Sequence, residues 1–303
     1  MQIKRKHYQV FYRIILNKFI KRNSILILWI FCILILAIII NIQVNILRNH
    51  SRGMSEGVTT EYREDKFREL KISSDCLEYF IQKGKVYDKE YIPWITTAML
   101  KNGYDLSNVK KESIKTTRFH KKISSSKAYK DLNQKYSAVF SDLVYFPIPV
   151  DLSNGETVNF SNSWMGERTY GGKRFHEGTD IMTSNNQRGY YPVLSITDGK
   201  VEQKGWLEKG GYRIGVRANN GAYFYYAHLH SYANGLEIDD QVKAGELLGF
   251  MGDTGYSKVE GTTGNFDVHL HLGIYLNTED GEISVNPYWV LKYLENHKLQ
   301  YYY

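Results

Sequence analysis

The chain has 303 residues, enough for one large hydrophobic core or two smaller ones, and a formal net charge of +7. The excess positive charge comes entirely from residues 1–24, which hold seven Lys or Arg side chains and no acidic one. The rest of the chain carries 32 basic and 32 acidic side chains, so composition does not support a basic groove for nucleic acid.

An uncharged apolar stretch follows this basic segment and predicts a transmembrane helix over residues 25–47. About 20 such residues cross a hydrocarbon core of about 30 Å. A cleaved signal peptide is the alternative, but its apolar run is shorter, and residues 41–50 offer no small-x-small cleavage site. The charge pattern predicts a single-pass protein of the cell membrane, with its N-terminus cytoplasmic and its C-terminal domain extracytoplasmic.

Residues 48–64 are predicted to be a polar stalk, and apolar residues at roughly helical spacing predict a mostly α-helical region over 65–150. Residues 65–145 could be a spacer, a partner-binding module or a propeptide-like cover. Cys32 lies in the predicted membrane span and Cys76 outside it, so no intrachain disulfide is expected. Cys76 has no motif of a nucleophile around it, and core packing is the simpler interpretation.

From residue 151 to residue 290 the pattern indicates a mainly β domain with an antiparallel sheet. Short runs of aromatic and β-branched residues alternate with turn signals such as Asp198-Gly199 and Asn220-Gly221. Asn286-Pro287 predicts the cap and first position of a closing helix, and residues 291–303 are assigned to that helix and a tail.

Five histidines of the β domain fall in three clusters, at residues 174–180, 225–230 and 267–273. Side chains alternate faces along a strand, so His269 and His271 should point the same way, with Cα atoms about 6.6 Å apart. His176 and Asp180 would be about 13 Å apart in a straight strand. Gly178 is therefore expected to bend the chain and bring them together.

Two imidazoles and one carboxylate suit Zn²⁺, and three protein ligands leave a fourth position for water, as in catalytic sites. The remaining histidines could orient the water, move protons or stabilise an oxyanion. Spacing alone does not decide which histidine takes which role.

Five short motifs add a resemblance. The segments His-Glu-Gly-Thr-Asp-Ile, Tyr-Ala-His-Leu, Lys-Ala-Gly-Glu-Leu-Leu-Gly, Gly-Asp-Thr-Gly-Tyr-Ser and Val-His-Leu-His-Leu-Gly resemble the lysostaphin/LytM-type zinc peptidase family, in the family's order. The resemblance implies one Zn²⁺ held by His176, Asp180 and His271, with His228 and His269 as the non-ligand catalytic pair. It also implies a narrow groove over an antiparallel sheet and cleavage of peptide bonds in peptidoglycan stems or cross-bridges.

Some residues fit this resemblance less closely. His230 matches no role in the family and is interpreted as a surface residue at a strand end. The loop 258–268 is longer than the usual spacing and is expected to border the groove. Tyr170 is a candidate oxyanion donor, and an aromatic groove wall is its alternative role.

Two functions remain open at this stage. The first is a membrane-anchored zinc endopeptidase acting on peptidoglycan. The second is a non-hydrolytic scaffold that uses the same domain to bind peptidoglycan or a protein partner, for example in a sporulation envelope complex. Loss of a metal ligand would favour the scaffold, and none is lost.

Overall fold

The computed structural model describes residues 33–41, 43, 62–88, 90–110, 114, 123–169 and 172–303. Residues 33–41 are helical. Within the described ranges, every helix is too short or too polar to cross a bilayer. Most of the predicted membrane span and of the stalk lies outside these ranges, so both stay predictions.

The helical region contains four helices in the part of the chain that is described, and a fifth lies near the C-terminus. Side-chain oxygens of Ser73, Ser126 and Asn286 accept from the first-turn amides of three of them, the favourable arrangement at an N-cap. Asn286 and Pro287 thus begin the closing helix as predicted. The helices are α1 (Glu64–Arg68), α2 (Ser74–Tyr87), α3 (Ile92–Lys101), α4 (Lys127–Phe140) and α5 (Pro287–Leu294).

The β domain consists mainly of antiparallel strands, as its sequence pattern predicts. The strands are β1 (Val150–Asp151), β2 (Val158–Phe160), β3 (Glu167–Arg168), β4 (Arg174–Phe175), β5 (Thr179–Thr183), β6 (Pro192–Leu194), β7 (Gly199–Leu207), β8 (Gly211–Ala218), β9 (Tyr223–Tyr232), β10 (Gln241–Val242), β11 (Leu247–Met251), β12 (His269–Thr278), β13 (Gly281–Val285) and β14 (Gln300–Tyr301).

The main sheet is antiparallel and has the strand order β10-β7-β8-β9-β12-β5-β2, with β13 beside β12 and β11 between β6 and β9. One face of its central strands is apolar, because alternate residues such as Phe224, Tyr226, Leu270 and Leu272 are fully buried. The opposite face of β8, β9 and β12 carries the polar and aromatic side chains of the site.

Strand β9 changes partner halfway along its length. Tyr223–Ala227 pairs with β12, whereas Leu229–Tyr232 pairs with β11 on the same side of the strand. The residue at the change is His228, where the register against β8 shifts and φ is +63°. The register against β11 shifts further on, at His230. The β-bulge at His228 aims a side chain that a regular strand would place elsewhere.

The helical region and the β domain share one continuous hydrophobic core within a compact unit from Val58 to Tyr303. Helix α1 packs on β13, and α2 packs on α5. Arg68 links the two regions directly: its guanidinium donates to the Ser284 carbonyl at 2.8 Å, and its own carbonyl accepts from the Asn286 amide at 2.8 Å. Cys76 is fully buried in this core, as its sequence context indicates.

Candidate metal centre and groove

Three side chains converge at one end of a groove on the polar face of the sheet: His176, Asp180 and His271. Asp180 in β5 pairs directly with His271 in β12, so both side chains leave the same face. His176, in the loop between β4 and β5, places Nε2 3.0 Å from Asp180 Oδ1 and 2.9 Å from His271 Nδ1. His271 Nδ1 lies 3.0 Å from the same Oδ1. The structure brings together the three residues that the resemblance names as ligands.

The chemistry of these three atoms fits a metal ion. His176 Nδ1 lies 3.0 Å from the Ser163 carbonyl oxygen, which can only accept, so Nδ1 carries the proton and Nε2 presents a lone pair. Burial lowers the pKa of His271 and favours its neutral form. Ligand atoms about 2.0–2.2 Å from a tetrahedral Zn²⁺ are about 3.3–3.6 Å apart, so the three observed contacts of 2.9–3.0 Å would have to open by about 0.5 Å to hold the ion. The nitrogen, nitrogen and oxygen set therefore suits one Zn²⁺.

Gly178 makes room for this arrangement. A Cβ at this position would lie 2.4 Å from Cε1 of the His271 ring and 2.6 Å from the Leu272 carbonyl oxygen. The sequence predicts a bend at Gly178, and the chain does leave the strand between β4 and β5 here. The stronger requirement for glycine is the close approach of the His271 ring and the Leu272 carbonyl oxygen.

Arg168 holds the second oxygen of Asp180. It lies in the β3–β4 hairpin, and its Nη2 donates to Asp180 Oδ2 at 2.6 Å, which leaves Oδ1 directed at the two histidines. Burial alone would raise the pKa of Asp180, but its contacts with His176 and His271 reverse this and hold it well below its usual range. Sequence reasoning missed Arg168 because no local motif indicates that this hairpin folds over the ligands.

His228 enters the groove because of the bulge in β9. Ala227 pairs with His271 and faces the groove, so the next side chain of a regular strand would point away. The positive φ of His228 turns it to the groove face as well. Its Nδ1 lies 2.8 Å from the Thr254 carbonyl oxygen and carries the proton, leaving Nε2 as an acceptor. Burial lowers the pKa of His228 far below its ordinary value, so the ring is neutral at about pH 7.

His269 repeats this arrangement from the neighbouring strand. Its Nδ1 donates to the Asp267 carbonyl oxygen at 2.7 Å, and its Nε2 lies 3.8 Å from Asp180 Oδ1. The ring centroids of His228 and His269 are 4.8 Å apart. The pair therefore stands beside the ligand cluster with both Nε2 atoms available for proton transfer.

The loop 258–268 lies behind these histidines and differs from the sequence expectation. Within the described residues, none of its side chains lines the groove. Phe266 instead packs against His228 and His269, with ring centroids 4.7 and 5.1 Å away. An amide of the same loop, that of Gly264, donates to the buried carboxylate of Asp253 and ties the loop to the sheet. The loop supports the histidine rings and does not form the groove wall.

The groove extends from the ligand cluster across β12, β9 and β8, with a volume of about 770 Å³. Tyr223, Tyr225 and Tyr275 line it, and the Tyr225 ring lies 5.9 Å from that of His271. Gly215 allows this aromatic surface, because a Cβ there would lie 1.7 Å from the Tyr223 hydroxyl. The alternation of Tyr223 and Tyr225 before His228 is a sequence signal that could have predicted these tyrosines.

Two further candidates have different outcomes. His230 is exposed and lies within β9, outside the groove lining, which agrees with its interpretation as a surface residue although not at the strand end. Tyr170 lies outside the described residues, so its suggested role as an oxyanion donor stays a prediction.

Comparison with known proteins identifies the class of this domain. Residues 174–287, which include every groove residue described above, match peptidase family M23. A crystal structure from Ruminococcus gnavus ATCC 29149 that carries the name lytM is 45% identical, with a TM-score of 0.70, and the match covers 80% of this chain and 95% of that one. The chain belongs to peptidase family M23.

Two curated relatives are similar over shorter stretches. The L-Ala–D-Glu endopeptidase of Bacillus subtilis (strain 168) is 38% identical over 155 residues, which are 51% of this chain and 45% of that protein. The glycyl-glycine endopeptidase ALE-1 of Staphylococcus capitis is 32% identical over 119 residues, 39% of this chain and 29% of that protein. The chain thus matches less than half the length of either relative.

Proposed function

We propose that this chain is a zinc-dependent endopeptidase that cleaves peptide bonds in peptidoglycan stems or cross-bridges. The observation that carries the proposal is the convergence of His176, Asp180 and His271 beside two histidines whose Nε2 atoms are available, all in one groove. The endopeptidase names of two relatives support cleavage within a peptide. They also make a bond before glutamate and a bond between glycines the candidate cleavage sites.

His176 Nε2, Asp180 Oδ1 and His271 Nδ1 would hold the ion, and Arg168 would keep Asp180 in its orientation. Zinc at these ligands supplies Lewis-acid chemistry that polarises a carbonyl and makes water more acidic. His228 and His269 provide an acceptor for the proton that the attacking water loses, and once protonated a donor for the leaving nitrogen. The proton taken from the water is thus passed on to the leaving nitrogen, and no other acid is required.

The groove determines how the substrate lies. A strand-like peptide along Tyr223 and Tyr225 would bring its backbone past His271 towards the two catalytic histidines. The faces of these tyrosine rings can contact apolar and backbone groups of peptides that differ in sequence. The carbonyl to be cleaved would then lie between the ligand cluster and His228, where the proton acceptor is closest.

We further propose that residues 25–47 anchor the chain in the cell membrane with the peptidase domain on the outer side, where peptidoglycan lies. The basic residues 1–24 support this orientation. Among the described residues, the side chains that line the groove all come from positions 174–282. The helical region 65–145 therefore suits a supporting or partner-binding role better than a cover over the groove.

Purified full-length chain, loaded with zinc, provides the test. It should release peptides from isolated cell walls, and His271→Ala or Asp180→Ala should abolish zinc binding and release together. Asp280→Asn, a change at an exposed carboxylate outside the groove, is the control and should alter neither. Zinc binding without peptide release from walls of several cross-link chemistries would support the scaffold instead. Undiminished release by a variant that lacks zinc would refute the metal mechanism.

A further inference from the structure

Two arginines on the groove face of β8 differ in their partners. Arg217 donates from Nε and Nη2 to both carboxylate oxygens of Glu202, at 2.6 and 2.8 Å. Among the described residues, the Arg213 guanidinium donates only to the neutral amide oxygen of Gln203, from Nη2 at 3.2 Å. Gly215 lies between the two arginines, so both side chains leave the strand on the same side. In the part of the chain that the structure describes, Glu202 pairs with Arg217 and no carboxylate pairs with Arg213.

The positive charge of the Arg213 guanidinium is not balanced by a carboxylate of the described residues. Its Nη1 is buried and has no hydrogen-bond partner, and in the part of the chain that is described no carboxylate oxygen lies within 4.0 Å of its nitrogens. A guanidinium stays charged at every physiological pH, and a buried donor without a partner is unfavourable. The planar fork of donors matches the two oxygens of a carboxylate.

This charge lies in the groove, near the ligand cluster. Arg213 lines the groove. The register of β8 against β9 places it directly opposite the bulge at Ala227 and His228. Ala227 in turn pairs with His271. Two strand spacings of about 4.8 Å separate Arg213 from His271, so their Cα atoms are roughly 10 Å apart. An extended peptide covers that distance in about three residues.

We infer that Arg213 binds a carboxylate of the peptide substrate and makes the groove selective for anionic peptides. The inference rests on the proposed function, because it names the substrate class of that same groove. A glutamate joined onward through one of its two carboxyls keeps the other one free, so a bond beside glutamate carries the required group. A peptide of glycines carries none except at its end.

Binding measurements test this inference separately from catalysis. The protein is the full-length, zinc-loaded chain carrying His228→Ala, so that cleavage is too slow to interfere with a binding measurement. The probes are the tripeptide L-Ala–D-Glu–L-Lys, joined through the glutamate side-chain carboxyl, and two versions of it. One version has the free glutamate carboxyl converted to a carboxamide, and the other has a C-terminal carboxamide. Calorimetry gives the dissociation constant of each.

The unmodified peptide should bind about tenfold or more tightly than one of the two amides, as expected for a charge-assisted hydrogen bond. The amide that loses affinity identifies whether Arg213 binds the glutamate carboxylate or the terminal one. Arg213→Gln should remove the difference, and Arg213→Lys should restore part of it. Arg217→Gln is the matched control on the same strand and should preserve the difference. Zinc content of each variant shows that the domain is folded.

Equal affinity for all three peptides, or a preference that survives Arg213→Gln, would overturn the inference. Cleavage of the same peptides by the chain with His228 intact tests the proposed function on its own. If the binding preference is present and no bond in peptides or walls is cut, the endopeptidase proposal fails and the role of Arg213 stands.

Discussion

The Nδ1 atom of His228 lies 2.8 Å from the carbonyl oxygen of Thr254, and this contact decides which nitrogen of the ring faces the groove. A carbonyl oxygen can only accept, so the proton sits on Nδ1 and Nε2 is left with its lone pair. His269 is oriented in the same manner by the carbonyl of Asp267. The two catalytic candidates are thus oriented by backbone atoms and do not depend on the metal for their position.

Because His228 is oriented without the metal, we expect its replacement to impair catalysis and leave zinc binding unchanged. His228→Ala should lower kcat/KM for wall peptides about 10²–10⁴-fold, the usual contribution of a general base. It should leave one zinc per chain, because His228 is not part of the ligand cluster. His230→Ala, on the same strand and exposed, is the matched control and should change neither quantity. Metal content and peptide release are measured on the same samples. Near-normal release by His228→Ala would contradict the prediction.

Gly178 is predicted to control metal affinity. Alanine at this position would place its Cβ 2.4 Å from Cε1 of His271, so the ring must move. We expect zinc affinity to fall about tenfold or more, the effect of disturbing the surroundings of a ligand. Competition with a chelator of known affinity measures this.

Gly221→Ala separates that effect from general backbone strain. Gly221 has φ of +101°, and a Cβ there would have no neighbour within 4 Å. This variant should lose about 1 kcal/mol of folding stability and bind zinc normally. Equal zinc affinities for the two variants would show that the contact with His271 is not the reason for glycine at position 178.

Phe266 is predicted to affect turnover more than metal binding. Its ring packs against both His228 and His269, and Phe266→Ala would allow both imidazoles to tilt. We expect kcat to fall about tenfold, since loss of alignment is costly for proton transfer. Val259→Ala changes an exposed side chain of the same loop and should be neutral. A Phe266→Ala variant with reduced zinc content and unchanged turnover per zinc would argue against this role.

Asp151 is predicted to make folding stability depend on pH in acid. Its carboxylate accepts from the Tyr190 hydroxyl at 2.5 Å and from the backbone amides of Ser153 and Asn154. Burial opposes the charged form, but these hydrogen bonds outweigh it and lower the pKa of Asp151. The stabilisation is therefore complete above the unfolded pKa of about 3.9 and is lost as pH falls through the lower folded value.

Asp151→Asn should be less stable than the wild type at about pH 7, and the difference should shrink towards about pH 2. Urea unfolding at several pH values measures it. Asp280→Asn removes an exposed carboxylate and should track the wild type throughout. A difference for Asp151→Asn that stays constant over this range would exclude the titration of Asp151 as its cause.

Local sequence accounts for a large part of this fold. The caps at Ser126 and Asn286 begin helices where their side chains can accept from first-turn amides, which needs no distant residue. Alternation in β12 places His269 and His271 on one face whatever the strand pairs with, because strand geometry alone sets it. The motifs around these residues also carry the resemblance to a metallopeptidase family that the comparisons support.

What the tertiary structure decided depends on pairing between distant segments. Asp180 meets His271 only through the register of β5 against β12, and His228 faces the groove only because β9 changes partners at that residue. Arg168 and Phe266 reach the site from segments without a recognisable motif. Among the described residues no carboxylate pairs with Arg213 as Glu202 pairs with Arg217, and a sequence does not show which charges are paired. Alternation and capping are set by neighbouring residues, whereas register, bulges and charge pairing arise only when distant parts of the chain pack together.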